Sequence, residues 1–174
     1  MAREAEVARL YDGRMWVHYG QAYVYGQEHP GELLARSFAG QANGICGAAK
    51  PGSLCLITGL HTGDVHIRVD VLDSEPELVD DWEEAVEVSF RPGIGGAWLI
   101  DWNGNTVVDL GLDDRDYRVR YCARGMQVGS DLDTLVEGEP VDSYAIYFWP
   151  APPAPDQIIR QTSPTAAYWH TAWK

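Results

Sequence analysis

Four stretches of this chain alternate apolar and polar residues with a period of two, and that pattern constrains the fold more than any other feature. In Asp64–Leu72, Val65, Ile67, Val69 and Val71 fall on one side and His66, Arg68, Asp70 and Leu72 on the other. Ala85–Arg91 repeats the pattern. Tyr117–Ala123 sets Tyr117, Val119 and Tyr121 against Arg118, Arg120 and Cys122, and Tyr144–Trp149 sets Tyr144, Ile146 and Phe148 against Ala145, Tyr147 and Trp149. Side chains of a strand point alternately to its two faces, so each stretch predicts a strand with one buried face. Ser53–Thr58 is a short apolar run that predicts a buried strand, and Met15–Tyr25 reads as one long strand kinked at Gly20. Ala97–Trp102 and Thr106–Leu110 flank Asn103-Gly104, a hairpin signal because a tight primed turn needs positive φ at both central residues. About eight short strands with little helix predict an all-β fold, an antiparallel β-sandwich.

The 174 residues suit one such domain. Residues 1–14 read as a polar lead-in with a short helix at Arg3–Leu10, residues 15–149 as the sandwich, and residues 150–174 as a Pro-rich segment and C-terminal extension. Pro150, Pro152, Pro153 and Pro155 stiffen that segment. Tyr168, Trp169 and Trp173 make the tail too aromatic to stay free, so it is expected to pack back on the sandwich.

Charge is the second feature. The formal net charge is −13, and from Asp70 to Glu87 nine carboxylates follow one another with no Lys or Arg between them. A phosphate backbone is bound by Lys and Arg, so this balance argues against direct nucleic-acid binding and against an anionic membrane surface, and favours a basic protein partner. The acidic run reads as a loop centred on Ser74–Trp82. Its carboxylates Asp73, Glu75, Glu77, Asp80, Asp81, Glu83 and Glu84 are the candidate partner-binding residues, with Trp82 as their aromatic anchor. Further acid clusters at Asp109–Asp116 and Asp131–Glu139 would strengthen the field if they share an end of the sandwich with it.

No catalytic signature accompanies this. Cys46, Cys55 and Cys122 form no CxxC pair and read as reduced thiols of a cytoplasmic protein. His18, His61, His66 and His170 lack metal-ligand spacing, so no metal or other cofactor is expected. The Asp101–Asn105 stretch lacks the later ligands of a calcium loop. Ser53 is in no nucleophile elbow, and the glycine-rich stretches lack a phosphate-loop lysine. An aromatic face built from Trp16, Tyr19, Tyr23, Tyr25, Trp98, Trp102, Tyr147 and Trp149 offers an alternative, a small-ligand or carbohydrate-binding module.

The order of segments resembles the competence protein J family, small inhibitors of a DNA-entry nuclease. The matching pieces are Val17–Val24 as an opening strand and Trp82–Phe90 as an acidic-to-apolar strand. Leu110-Gly111-Leu112 then leads through an acidic turn into Asp116–Tyr121, and Asp142–Trp149 is the final aromatic strand. Together they span most of Trp16–Trp149. The resemblance implies a β-sandwich that binds and blocks a nuclease and has no catalysis of its own.

Overall fold

The alternating segments become strands of two stacked sheets in the computed structural model, which describes residues 3–32 and 34–174. With strands numbered in chain order, the larger sheet runs β1 (Val7–Val17), β5 (Thr62–Leu72), β11 (Ser143–Pro150), β9 (Tyr117–Arg124), β6 (Glu84–Phe90), β12 (Gln157–Arg160). A short strand, β10 (Thr134–Leu135), pairs with the start of β5. The smaller sheet runs β3 (Cys46–Gly47), β4 (Leu54–Ile57), β2 (Gln21–Tyr25), β7 (Trp98–Ile100), β8 (Thr106–Asp109). Among the described residues two α-helices, α1 (Met126–Leu132) and α2 (Pro164–Ala172), and a 3-10 turn at Ala35–Phe38 complete the fold.

The core lies between the sheets. Val65, Ile67, Val69, Val119, Tyr121, Tyr144, Ile146 and Phe148 face Val24, Leu54, Leu56 and Leu99 across it, all buried. These are the apolar sets that the alternation singles out. The sandwich is therefore as expected, with one topological addition. β5 and β11 pair in parallel, and because β9 is antiparallel to both β11 and β6, β5 and β6 also run parallel. Parallel strands of one sheet need a crossover connection. Residues 73–83 supply it, passing over β11 and β9 on the outside of the larger sheet.

That crossover explains why the second face of β9 and β11 is buried as well. Leu72, Trp82, Ala85, Cys122, Ala145, Tyr147 and Trp149 form a second apolar cluster outside the sandwich, between the sheet and its cover. Arg118 and Arg120 lie in the same layer, each about 5% exposed, and both bond Glu87, at 3.5 Å and 2.9 Å. The Pro-rich segment closes the far side of this layer: Arg118 donates to the carbonyl oxygens of Ala154 (2.8 Å) and Pro155 (2.7 Å).

Three local readings change. The segment Arg3–Leu10 holds no helix; Val7 already begins β1, held by pairing with Leu72. Met15–Tyr25 is two strands in different sheets, joined by a tight turn at Tyr19-Gly20 in which both φ angles are positive, +53° and +60°. The hairpin at Asn103-Gly104 forms, but only Gly104 has positive φ, and the Asp101 carboxylate closes the loop by accepting from the Asn105 backbone N–H (2.9 Å). The tail packs as expected: Trp173 stacks on Phe38 with ring centres 4.8 Å apart, and its indole N–H donates to the Gly44 carbonyl oxygen.

Candidate functional site

The acidic crossover does not present its carboxylates uniformly. At its start, Asp73 accepts the Glu6 backbone N–H (2.9 Å) and lies 3.6 Å from Arg3. Glu75 reaches inward to Arg120 at 3.1 Å. Glu77 is exposed and makes no hydrogen bond or ion pair among the described residues. Asp80 and Asp81 are exposed, with long contacts to Arg160 (3.8 Å) and Arg124 (4.0 Å). Trp82 is 7% exposed and lies beneath the Arg124 guanidinium, 5.4 Å from the ring centre. Glu83 accepts the Gly125 backbone N–H at 2.6 Å. Glu84 is fully buried and accepts two backbone N–H groups, from Thr162 (2.9 Å) and Ser163 (2.6 Å), tying β6 to the start of α2. Exposed, long-range pairs contribute little to stability and exchange readily for a partner's cations. A buried carboxylate that satisfies two backbone donors does neither.

Strand register places these groups on the ends of the sandwich. Glu84 pairs with Ala123, Arg124 with Ser143, and Ser143 with His66, so Asp80–Glu83 belong to the end where β5 begins. The Asp113–Asp116 turn precedes Tyr117, which pairs with Phe90, and so lies at the other end, where Arg91 holds Asp114 (2.8 Å) and Asp116 (3.6 Å). The cluster Asp131–Glu139, which begins in the last turn of α1, joins Asp80–Glu83 at the first end.

α1 crosses that end from Glu83 to His61. Its approach is close: a Cβ on Gly59 would meet the Met126 carbonyl oxygen at 2.0 Å, and one on Gly63 would meet that of Leu135 at 2.0 Å. Asp142 fastens the crossing from below, accepting from the Leu60 N–H and the Tyr144 hydroxyl. Burial pushes its carboxyl above the usual range, although those hydrogen bonds oppose the shift. Val128, Leu132 and Val136 stay exposed on the outer side, beside Asp131, Asp133 and Glu137.

Beyond α1 the same end carries a cluster of four rings that sequence spacing does not reveal. His18 and Tyr19 come from the β1–β2 turn, His61 from the approach to β5, and Trp102 from the β7–β8 loop. His18 lies 4.7 Å from Trp102 and 5.5 Å from His61; Tyr19 lies 5.0 Å from His61 and 5.8 Å from Trp102, centre to centre. The Thr62 hydroxyl is 2.7 Å from Nδ1 of both histidines. Tyr19 is 57% and Trp102 37% exposed.

The other aromatic candidates do not share a face. Tyr147 and Trp149 lie buried under the crossover, while Tyr23, Tyr25 and Trp98 are half-buried on the smaller sheet. The remaining chemistry-bearing residues stay apart too. The three thiols are buried, and burial pushes those of Cys55 and Cys122 up to about 12, which suppresses the nucleophilic thiolate. His66 pairs with Asp12, and His170 accepts the Gly44 N–H at 2.9 Å. Among the described residues no three His, Cys, Asp or Glu side chains are grouped to hold a metal, and no helix is long and apolar enough to cross a membrane. A cleft of about 540 Å³ opens at the opposite end among Phe90, Arg91, Ile94 and Asp114, and its charged pair is already closed on itself.

No protein-family model matches the sequence, and no curated protein matches it. Solved structures do. The chain is similar to ComJ, the inhibitor of the DNA-degrading activity of NucA from Bacillus subtilis, at 15% identity and a TM-score of 0.56, over 84% of this chain and 99% of that one. It is also similar to crocagin biosynthetic gene J, at 16% identity and a TM-score of 0.51, over 87% of this chain and all of that one. The fold is ComJ-like.

Proposed function

We propose that this protein is a non-catalytic binding module that inhibits a basic nuclease or a toxin of similar surface chemistry. The observation that carries the reading is the union of a ComJ-like fold with an end surface on which exposed carboxylates are loosely paired or unpaired. Asp80 and Asp81 stand near the start of α1, and Asp131, Asp133 and Glu137 lie in its last turn and just after it. A nuclease cleft is lined with cations that bind phosphate, and carboxylates on a rigid scaffold occupy the same sites.

Of the eight crossover residues, Glu77, Asp80, Asp81 and Glu83 are the contact and steering groups in this proposal. Asp73 and Glu75 lie toward the far end of the crossover, and Trp82 and Glu84 support it from beneath. The field falls off within about a Debye length, ~10 Å at 0.1 M salt, so complex formation slows as salt rises.

The test is retention of a DNA-degrading activity from native extract on the immobilised protein at low salt, followed by an assay of the salt-eluted nuclease with pure protein added. Inhibition that weakens at least tenfold with Asp80→Lys/Asp81→Lys supports the reading. If no retained nuclease is inhibited, or if the charge-reversed protein inhibits as well as the native one, the assignment is wrong.

A further inference from the structure

We infer that the exposed rings of Tyr19 and Trp102, backed by His18 and His61, receive an arginine side chain from the basic protein partner. This rests on the binding-module reading above and names the anchor within it.

Backbone strain is the first observation. Among the described residues only Tyr19 and Asp133 are non-glycine residues with positive φ. A bulky residue in the left-handed region is a true outlier. A tight turn of this type favours Asn-Gly, and here a tyrosine stands where asparagine would relax the turn. Tyr19 gains no burial in return. Asp133 is strained for the same neighbourhood: its carbonyl oxygen accepts the backbone N–H groups of His61 (2.9 Å) and Thr62 (3.0 Å). Both outliers therefore position one cluster, as strain retained at a working site does.

The second observation is that four rings of this chain already carry an arginine of their own, Tyr117 under Arg115 (6.0 Å) among them. Arg68 lies over Tyr147 (5.5 Å), Arg120 over Trp149 (5.4 Å) and Arg124 over Trp82 (5.4 Å). Among the described residues no cation of the chain lies over Tyr19 or Trp102. Arg14, a cation of the same end, is bound to Glu139 at 2.9 Å and lies 3.8 Å from Asp64.

The third observation is charge. Trp102 walls a cleft of about 400 Å³ that also contains Tyr23, His29 and Glu32. Asp133 flanks the cluster on the other side. A guanidinium is planar and weakly hydrated, so it stacks on a ring while its edge donates to carboxylates; an ammonium is a compact, strongly hydrated point charge. The site thus selects arginine over lysine, which an acidic surface alone does not.

The experiment compares binding of an octa-arginine and an octa-lysine peptide to the full chain at low salt, read by tryptophan fluorescence and calorimetry. The native protein should bind octa-arginine several-fold more tightly. Trp102→Ala should weaken octa-arginine about tenfold, leave octa-lysine nearly unchanged and so erase the preference. Tyr19→Asn should weaken it in the same direction while raising the melting temperature, which keeps the test valid if Trp102→Ala folds poorly. Absence of an arginine preference in the native protein, or its survival in both variants, overturns the anchor. If the anchor fails while Asp80→Lys/Asp81→Lys still abolishes nuclease inhibition, the binding-module reading stands without it. If inhibition is absent from the native protein as well, both fall.

Discussion

The acidic run Asp70–Glu87 carries nine carboxylates and the stretch 131–139 carries four, and the fold treats them differently. In the run, the strand residues Asp70 of β5 and Glu84 and Glu87 of β6 are buried and bonded, to Arg9 and Arg68, to two backbone donors, and to Arg118 and Arg120. In the second stretch, Glu137 is exposed, Asp131 accepts from Gln127, Asp133 turns its carboxylate to the Thr134 hydroxyl beside it, and Glu139 pairs with Arg14 at 2.9 Å. The buried third of the denser acid is thus cement, while the rest of it and all four carboxylates of the sparser stretch are surface. Density of charge along a chain measures how much repulsion must be managed, whereas availability for a partner depends on what each carboxylate already touches.

The most severe way to break this comparison is within the cement. Glu87→Ala leaves Arg118 buried without a carboxylate and Arg120 with Glu75 alone, and removing one partner of a buried pair costs about 3–5 kcal/mol. Chemical denaturation should show that loss. An unfolding free energy within 1 kcal/mol of the native value would mean that the crossover packs without its charges.

The turn that carries Tyr19 should respond in the opposite sense. Tyr19→Asn relieves left-handed strain and is expected to stabilise by about 1 kcal/mol, measured in the same way. Unchanged or lowered stability would remove the strain argument for the ring cluster.

Exposed acid should matter least to stability. Asp80→Lys/Asp81→Lys is expected to shift it by less than ~1 kcal/mol, since long surface pairs are weak, while slowing association with a basic nuclease. A large loss of stability would place these two residues with the cement.

The docked tail adds a pH dependence that separates it from both acidic regions. His170 is buried, and burial lowers its pKa from the ordinary 6.5, with Lys174 adding to the effect. As pH falls below 6.5 the unfolded chain takes the proton first, so stability present above that value is lost as pH drops through the lowered folded value. A melting curve at pH 7.5 and 5.5 should show a decline that His170→Gln reduces, because glutamine still offers an acceptor to the Gly44 N–H. An equal decline in the variant would assign the pH dependence to other groups.

Much of the core was legible because period-two alternation is a local property. Val65, Ile67 and Val69, or Tyr144, Ile146 and Phe148, declare their inward face whatever strand lies beside them. Their outward neighbours were not legible in the same way. Arg118, Arg120, Tyr147 and Trp149 fall on the face that the alternation leaves outward, and they are buried because β5 and β6 are parallel and force residues 73–83 across them, with the Pro-rich segment closing the far side over Arg118. The Tyr19-Gly20 turn is legible only as a kink at Gly20, for a chemical reason: tyrosine is a poor left-handed residue, so the segment reads as one strand. Where the turn chemistry is conventional, at Asn103-Gly104, the hairpin is legible in the sequence.

By itself, then, the sequence determined a β-sandwich, its inward-facing residues and a strongly acidic character, since each follows from composition or from neighbours along the chain. Tertiary structure alone decided which carboxylates remain free and that His18, His61 and Trp102 meet around Tyr19. Those outcomes depend on sheet order and on which end each connection crosses. Both are set by pairing between residues far apart in sequence, which a pattern of nearest neighbours does not encode.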